Sequence, residues 1–83
     1  MAASRDEISE WFDEGAKIPE NTHMLVVCDE FDWEDYPIYI SADDDARTKR
    51  NEYDEKPMSK VMECYNLKKA KRPQMDVARC WEF

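Results

Sequence analysis

The sequence predicts a small α+β domain, in which an antiparallel sheet of about three strands packs against helices in the order α-β-β-α-α-β. Three observations favour this class: apolar residues at helical spacing near 5–17, a continuous apolar run at 23–28, and two-residue alternation at 75–83. The 83 residues fit one domain, which we expect to span 1–83. We expect the helices to cover one side of the sheet.

The first predicted element is an amphipathic helix near residues 5–17. Ser4 followed by Glu7 makes a capping box, which is typical of a helix start. At the other end Lys17 supplies a C-terminal cation, and Gly15 and Pro19 are the two breakers that are expected to end the helix. The residues that recur at helical spacing are Ile8, Trp11, Phe12 and Gly15.

Two strands are predicted next, on either side of an acidic loop. The apolar run 23–28 is typical of a strand that is covered on both faces or lies at the centre of a sheet. Residues 36–40 alternate ring and aliphatic, which suits a second strand antiparallel to the first across a wide hairpin. Pro37 indicates either that this second strand lies at an edge of the sheet or that the proline stands at the start of the strand.

The second half of the chain is predicted as two helices and a final strand. Acids lead and bases trail over 43–53, as the helix dipole prefers, so a short solvated helix is expected there. Apolar residues at i, i+3, i+4 and i+7, with Pro57 in the first turn, predict a more buried helix over 57–67. A basic connector over 68–73 follows, whose Pro73 is expected to stop that helix, and 75–83 is expected to form a strand that joins the sheet.

Composition and charge exclude several classes of function. Twenty acids against twelve bases give a net charge of −8, so duplex nucleic acid and anionic membranes are unfavourable partners and a basic protein surface is a better one. Ten aromatic residues among 42% apolar residues argue against a disordered acidic tail. No membrane span or secretory signal is expected, and three unevenly spaced cysteines predict reduced thiols in the cytoplasm.

Catalytic and metal-binding patterns are weak in this chain. His23 and Cys28 lie five apart in one predicted strand, about 16 Å along its axis and on opposite faces, so they do not make a nucleophilic pair. All three cysteines, Cys28, Cys64 and Cys80, are interpreted as buried small hydrophobes. The carboxylates lack the spacing and the central glycine of a calcium loop. We therefore predict no catalytic residue, no metal and no cofactor.

The strongest functional signal is the stretch 28–39, where five carboxylates and four aromatic rings alternate. Acids are seldom buried unless paired, whereas large rings seek burial or a partner, so part of the ring surface is expected to face a partner. An alternative is that the rings fold back over the core while the acids stay in solvent. The predicted partner-binding residues are the anchors Phe31, Trp33 and Tyr36 and the acids Asp32, Glu34 and Asp35.

A second hypothesis is an oligomer that sequesters a small nucleotide signal. The ligand would lie between the aromatic face of Trp81 and bases such as Arg72 or Arg79. An arginine that extends along the edge of the core explains Arg79 equally well.

Charge segregation bears on whether copies of the chain associate. Residues 29–45 carry eight acids and no base, whereas 68–72 carry four bases and no acid. This predicts either contact between copies or an internal match, in which the basic connector lies against the acidic loop.

Several short segments of the chain carry a resemblance to known proteins. They are Thr22-His23-Met24, Val26-Val27-Cys28-Asp29, Phe31-Asp32, Glu34-Asp35-Tyr36-Pro37, Tyr39, Val61-Met62-Glu63, Tyr65 and Leu67. In these segments the chain resembles a group of short bacterial and phage proteins to which no activity is assigned, and the resemblance covers about two-thirds of the chain. It departs near the end, where Arg79-Cys80-Trp81 stands in place of an arginine followed by an apolar pair. The resemblance implies a prokaryotic or viral origin and, by analogy, a phage-type inhibitor of a host factor in the host cytoplasm.

Overall fold

Helices and strands follow one another in the order α-β-β-α-β-α. The computed structural model describes residues 3–83. The elements are α1 (Arg5–Ala16), β1 (Asn21–Asp29), β2 (Glu34–Ser41), α2 (Ala46–Glu55), β3 (Ser59–Asn66) and α3 (Lys71–Met75). The strands form one antiparallel sheet in the order β2-β1-β3, so the predicted α+β class with a three-stranded antiparallel sheet is confirmed.

The apolar run of β1 lies at the centre of the sheet, as its composition predicted. Residues 24–27 are fully buried, and successive side chains enter two separate hydrophobic clusters. Met24 and Val26 pack on the α1 side together with Phe12, whereas Leu25 and Val27 pack on the α2 side. A strand that is apolar at every position needs a cover on both faces.

Helices therefore cover both sides of the sheet, and the expectation that they cover one side was wrong. The α1 side holds one cluster and the α2 side the other. The α1 cluster contains Ile8, Phe12, Met24, Val26, Tyr65, Leu67 and Cys80. The α2 cluster contains Leu25, Val27, Ile40, Ala46, Val61 and Cys64.

Local capping signals place α1 and α2 close to their predicted ranges. The backbone N–H of Glu7 donates to the Ser4 side chain over 3.1 Å, and the capping box is complete. Asp45 caps α2, where its carboxylate accepts from the N–H of Thr48 at 3.0 Å. Gly15 lies in the last turn of α1 under the ring of Tyr39, so its role is close packing rather than helix termination.

The predicted helix over 57–67 was wrong, because this segment contains β3. Val27 pairs with Val61, and Met24 pairs with Tyr65, which gives the open side of β1 its hydrogen-bonding partner. An apolar pattern this short fits either a helix or a strand with an irregularity, and the register here shifts between Val26 and Val27. A long-range pairing, rather than the local pattern, decides the structure.

The predicted strand over 75–83 was also wrong for most of its length. Lys71–Met75 forms the short helix α3, with Pro73 inside its first turn, where a missing backbone N–H costs little. Only the last residues are extended: the N–H of Cys64 donates to Cys80 and the N–H of Glu82 donates to Cys64, each over 2.9 Å. This single parallel bridge, between Cys64 and Trp81, covers part of the outer edge of β3.

Candidate partner-binding surface

The turn between β1 and β2 meets the start of β3 at one end of the sheet. Asp29 is the last paired residue of β1, with Glu34 on one side and Ser59 on the other. The N–H of Glu30 donates to the carbonyl of Met58 over 2.7 Å. We call residues 30–33 together with Met58 the hairpin tip.

Large apolar side chains are exposed at the hairpin tip. Phe31 is 75% exposed, Trp33 is 63% exposed and Met58 is 51% exposed. Phe31 and Trp33 belong to neither hydrophobic cluster. Burying a large side chain stabilises a fold by about 1.5–3 kcal/mol, so three such side chains left in solvent at one place mark a potential contact surface.

The backbone of the hairpin tip is tightly constrained. The N–H of Phe31 donates to the Asp29 carboxylate over 2.9 Å, which forms a local turn after β1. Trp33 has a φ of 56° and Met58 a φ of 61°, so both adopt the left-handed conformation. This conformation costs a bulky residue roughly 1 kcal/mol or more, and such strain is held where the surrounding structure imposes it, often at functional sites.

The carboxylates around the hairpin tip have no basic partner within residues 3–83. Asp35 accepts a hydrogen bond from the N–H of Ala3 at 2.9 Å, and Asp29 accepts from Phe31. The bases on either side of Met58 in the sequence do not neutralise them. Lys56 lies over the ring of Tyr53, 4.2 Å from its centroid, and Lys60 forms no ion pair with residues 3–83. The acids without an ion pair to described residues are Asp29, Glu30, Asp32, Glu34 and Asp35.

The basic connector lies at the other end of the sheet, so the predicted internal match between it and the acidic loop was wrong. Lys71 forms an ion pair with Asp13 at 2.9 Å, and Lys69 forms one with Glu82 at 3.3 Å. The connector follows the end of β3, where Asn66 pairs with His23 at the start of β1. The antiparallel pairing of β1 and β3 therefore separates the connector from the hairpin tip.

The structure places the six predicted partner-binding residues as neighbours, although not all in the turn. Phe31, Asp32 and Trp33 lie in the turn, whereas Glu34, Asp35 and Tyr36 lie on β2. Tyr36 pairs with Val27, so its side chain lies on the face of the sheet that α2 covers. Asp35 lies on the α1 face, where its carboxylate accepts a hydrogen bond from the N–H of Ala3. Met58 was missed, because its position depends on β3 and the sequence pattern favoured a helix there.

The residues that were predicted to bind a nucleotide, Arg72, Arg79 and Trp81, do not lie together. Arg72 lines a cleft of about 400 Å³ together with Arg5 and Lys71. Trp81 lines a different cleft beside α2, and Arg79 is exposed. Sequence reasoning missed Arg50, which does lie over Trp81, and Arg47, which lies over Phe83, since α2 meets the end of the chain only through the tertiary fold.

The thiol and imidazole groups are held in their neutral forms. His23 pairs with Ile40 and Cys28 with Asp35, so they occupy opposite ends of β1. Cys64 and Cys80 are buried as predicted, whereas Cys28 is only partly buried and the prediction was wrong for it. Burial raises the pKa of Cys64 to about 12 and that of Cys80 to about 11, and burial lowers the pKa of His23. Thiols are poor nucleophiles until ionised. Among residues 3–83, no three His, Cys, Asp or Glu side chains converge where a metal ion could be held.

Comparisons with known proteins give no match: no family model, curated protein or solved structure is similar to this chain. The resemblance to short bacterial and phage proteins therefore stays a prediction. In the described part of the chain, no helix combines the length and the apolar character needed to cross a membrane.

Proposed function

We propose that this protein is a non-enzymatic binding module, which docks through the hairpin tip onto a protein with a basic surface. The observation that carries this proposal is the combination of exposed Phe31 and Trp33 with surrounding carboxylates that lack ion pairs within residues 3–83. Aromatic side chains are enriched among residues that dominate binding energy. The partner would supply an apolar pocket rimmed by lysine or arginine.

Charge assigns the acids a role in selecting the partner. Exposed carboxylates attract a basic surface and accelerate association, and they repel acidic surfaces at short range. An overall charge of −8 adds to this selection. We therefore expect affinity to fall with rising salt, because exposed charges are screened over about 8–10 Å at physiological ionic strength.

The rigid turn favours binding without rearrangement. The bond from Phe31 to Asp29 and the bond from Glu30 to Met58 hold the turn before any partner arrives. A surface that is already ordered loses less conformational entropy on binding. The module would act in the cytoplasm, in keeping with its free cysteines, as a phage-type inhibitor of a host factor.

The test compares immobilised wild-type protein with a tip variant, Phe31→Ser/Trp33→Ser, in a bacterial lysate at low salt. Ile18→Ser/Val77→Ser is the matched control, because it removes exposed apolar side chains elsewhere on the surface. A captured protein is then purified, and its affinity for each variant is measured by calorimetry. We expect the tip variant to lose about a hundredfold or more in affinity and the control about twofold or less.

A charge arm tests the selection of a basic partner. Asp32→Asn/Glu34→Gln should slow association, whereas Asp43→Asn/Asp44→Asn, which removes two acids outside the tip, should have a smaller effect. Equal affinity of the wild type and the tip variant for every captured protein would overturn the proposal. Failure to retain any protein at low salt would also overturn it.

A further inference from the structure

A second surface, at the side of α2, combines arginine with aromatic rings. The rings of Trp81 and Phe83 are nearly parallel, with centroids 6.2 Å apart and an interplanar angle of 8°. The guanidinium of Arg50 lies 5.3 Å from the centroid of Trp81, and that of Arg47 lies 4.6 Å from the centroid of Phe83. With Asn51, these residues line a cleft of about 370 Å³, which we call the arginine–aromatic cleft.

The two guanidinium groups retain most of their donors. Neither Arg47 nor Arg50 forms an ion pair within residues 3–83. Arg50 donates only from Nη1 to the Asn51 side chain, over 3.3 Å, and its buried Nε has no acceptor in the described chain. The other guanidinium donors of these two residues, which line the cleft, can therefore bond an oxygen-rich ligand.

Other clefts of similar size do not share this property. The cleft that contains Arg72 is also lined by Asp6 and Asp76, and its Lys71 is already paired with Asp13. A neighbouring cleft that shares Arg47 contains Asp44 and Asp45. The arginine–aromatic cleft has no carboxylate side chain in its lining, although the chain carries twenty acids.

We propose that the arginine–aromatic cleft binds a small anion that carries a planar ring and a phosphate group. Two adjacent guanidinium groups match the charge of a phosphate, to which arginine can donate paired hydrogen bonds. Trp81 remains 39% exposed, so part of its ring can stack on a planar group. This site lies on α2 and the final residues, separate from the hairpin tip, and does not depend on the proposed protein contact.

Adenosine monophosphate is the probe for this site. Its binding to the whole chain is followed by nitrogen-edited NMR. We expect it to shift the indole signal of Trp81 and the Nε–H signal of Arg50. The indole signals of Trp11 and Trp33, which lie outside the cleft, provide an internal reference. Adenosine and inorganic phosphate, titrated separately, should each bind at least about tenfold more weakly than the combined ligand.

Charge-matched variants locate the binding. Arg47→Gln and Arg50→Gln should each weaken binding of adenosine monophosphate about tenfold or more, whereas Arg72→Gln should change it by about twofold or less. Testing both cleft arginines keeps the proposal open to refutation if one variant unfolds. The proposal is overturned if adenosine monophosphate leaves Trp81 unshifted, if inorganic phosphate binds as tightly, or if Arg72→Gln causes an equal loss.

Discussion

The guanidinium of Arg5 lies 3.1 Å from the carboxylate of Glu63, which joins the first residue of α1 to the buried side of β3. Tyr65 completes the contact, since its hydroxyl donates to Glu63 and accepts from Arg5, both at 2.9 Å. Glu63 also accepts from the N–H of Cys80 at 3.0 Å, while Arg5 donates to the carbonyl of Ala78 at 2.6 Å. One buried carboxylate thus connects the start of α1, β3 and the end of the chain.

Replacing Arg5 with methionine should lower the free energy of unfolding by about 1–3 kcal/mol. The change leaves Glu63 buried without its cation, although the half-exposed position of Arg5 limits the cost. Urea denaturation measures the effect. Arg79→Met is the control, because Arg79 is exposed, and it should stay within about 0.5 kcal/mol of the wild type. Equal stability of the two variants would contradict the role given to this contact.

Gly15→Ala should destabilise the protein by about 1 kcal/mol, even though alanine is the better helix former. A Cβ at this position would lie 2.6 Å from Cδ1 of Tyr39, whose hydroxyl is held by the carbonyl of Trp11 at 2.8 Å. Overpacking costs about 1–3 kcal/mol, which outweighs a helix gain of about 1 kcal/mol. Thermal unfolding measures the change.

The Tyr39→Ala background provides the control for this steric explanation. Without the ring, Gly15→Ala should become stabilising by about 0.5–1 kcal/mol, because helix propensity then dominates. The same destabilisation in both backgrounds would show that the Tyr39 ring is not the cause.

Trp33→Gly should be more stable than Trp33→Ala by roughly 1 kcal/mol. Both changes remove the indole together with its contacts, but only glycine adopts a φ of 56° without steric cost. Chemical denaturation compares the two variants. The same pair of substitutions at Tyr36, which lies in regular β2, should favour alanine instead. If glycine and alanine are equivalent at position 33, the turn relaxes in the variants.

Alkaline pH should destabilise the protein through Cys64. Burial raises the pKa of its thiol from an ordinary value of 9.0 to about 12. Above pH 9 the unfolded chain loses this proton while the folded protein keeps it, so the free energy of unfolding falls as pH rises from about 9 to 12. Cys64→Ala removes this contribution, and its stability should fall less steeply over that range.

Neutral pH is the internal control for the thiol prediction. Between about pH 6 and 8 the Cys64 thiol is protonated in both states, so the stability difference between wild type and Cys64→Ala should stay constant. Urea denaturation at several pH values measures both ranges. Parallel profiles up to pH 11 would mean that the Cys64 thiol ionises without a shift.

Local signals in the sequence predicted those parts of the fold that depend on neighbouring residues. The capping box at Ser4 begins α1, and the run 23–28 forms the central strand. Residues 57–67 were predicted as a helix because their spacing fits two periods, and only the unpaired side of β1 decides in favour of a strand. The extended residues near Trp81 likewise depend on a bridge to Cys64.

The candidate surface was predictable for the same physical reason. Carboxylates next to Phe31 and Trp33 make burial of the loop unfavourable, and both rings are exposed. Composition left open that the rings fold back over the core, and the structure excludes this for Phe31 and Trp33. Met58 reaches the tip only through the pairing of β1 with β3. Arg47 meets Phe83 and Arg50 meets Trp81 because α2 packs against the end of the chain, for which no local pattern exists.

Because β1 contributes side chains to both hydrophobic clusters, neither cluster can persist when this strand leaves the sheet. We expect all-or-none unfolding, with far-UV and near-UV circular dichroism giving one midpoint. Amide protons of residues 24–27 should exchange with deuterium only through global opening, at the slowest rate in the molecule. Faster exchange at these amides than in α1 would show that the two layers come apart separately.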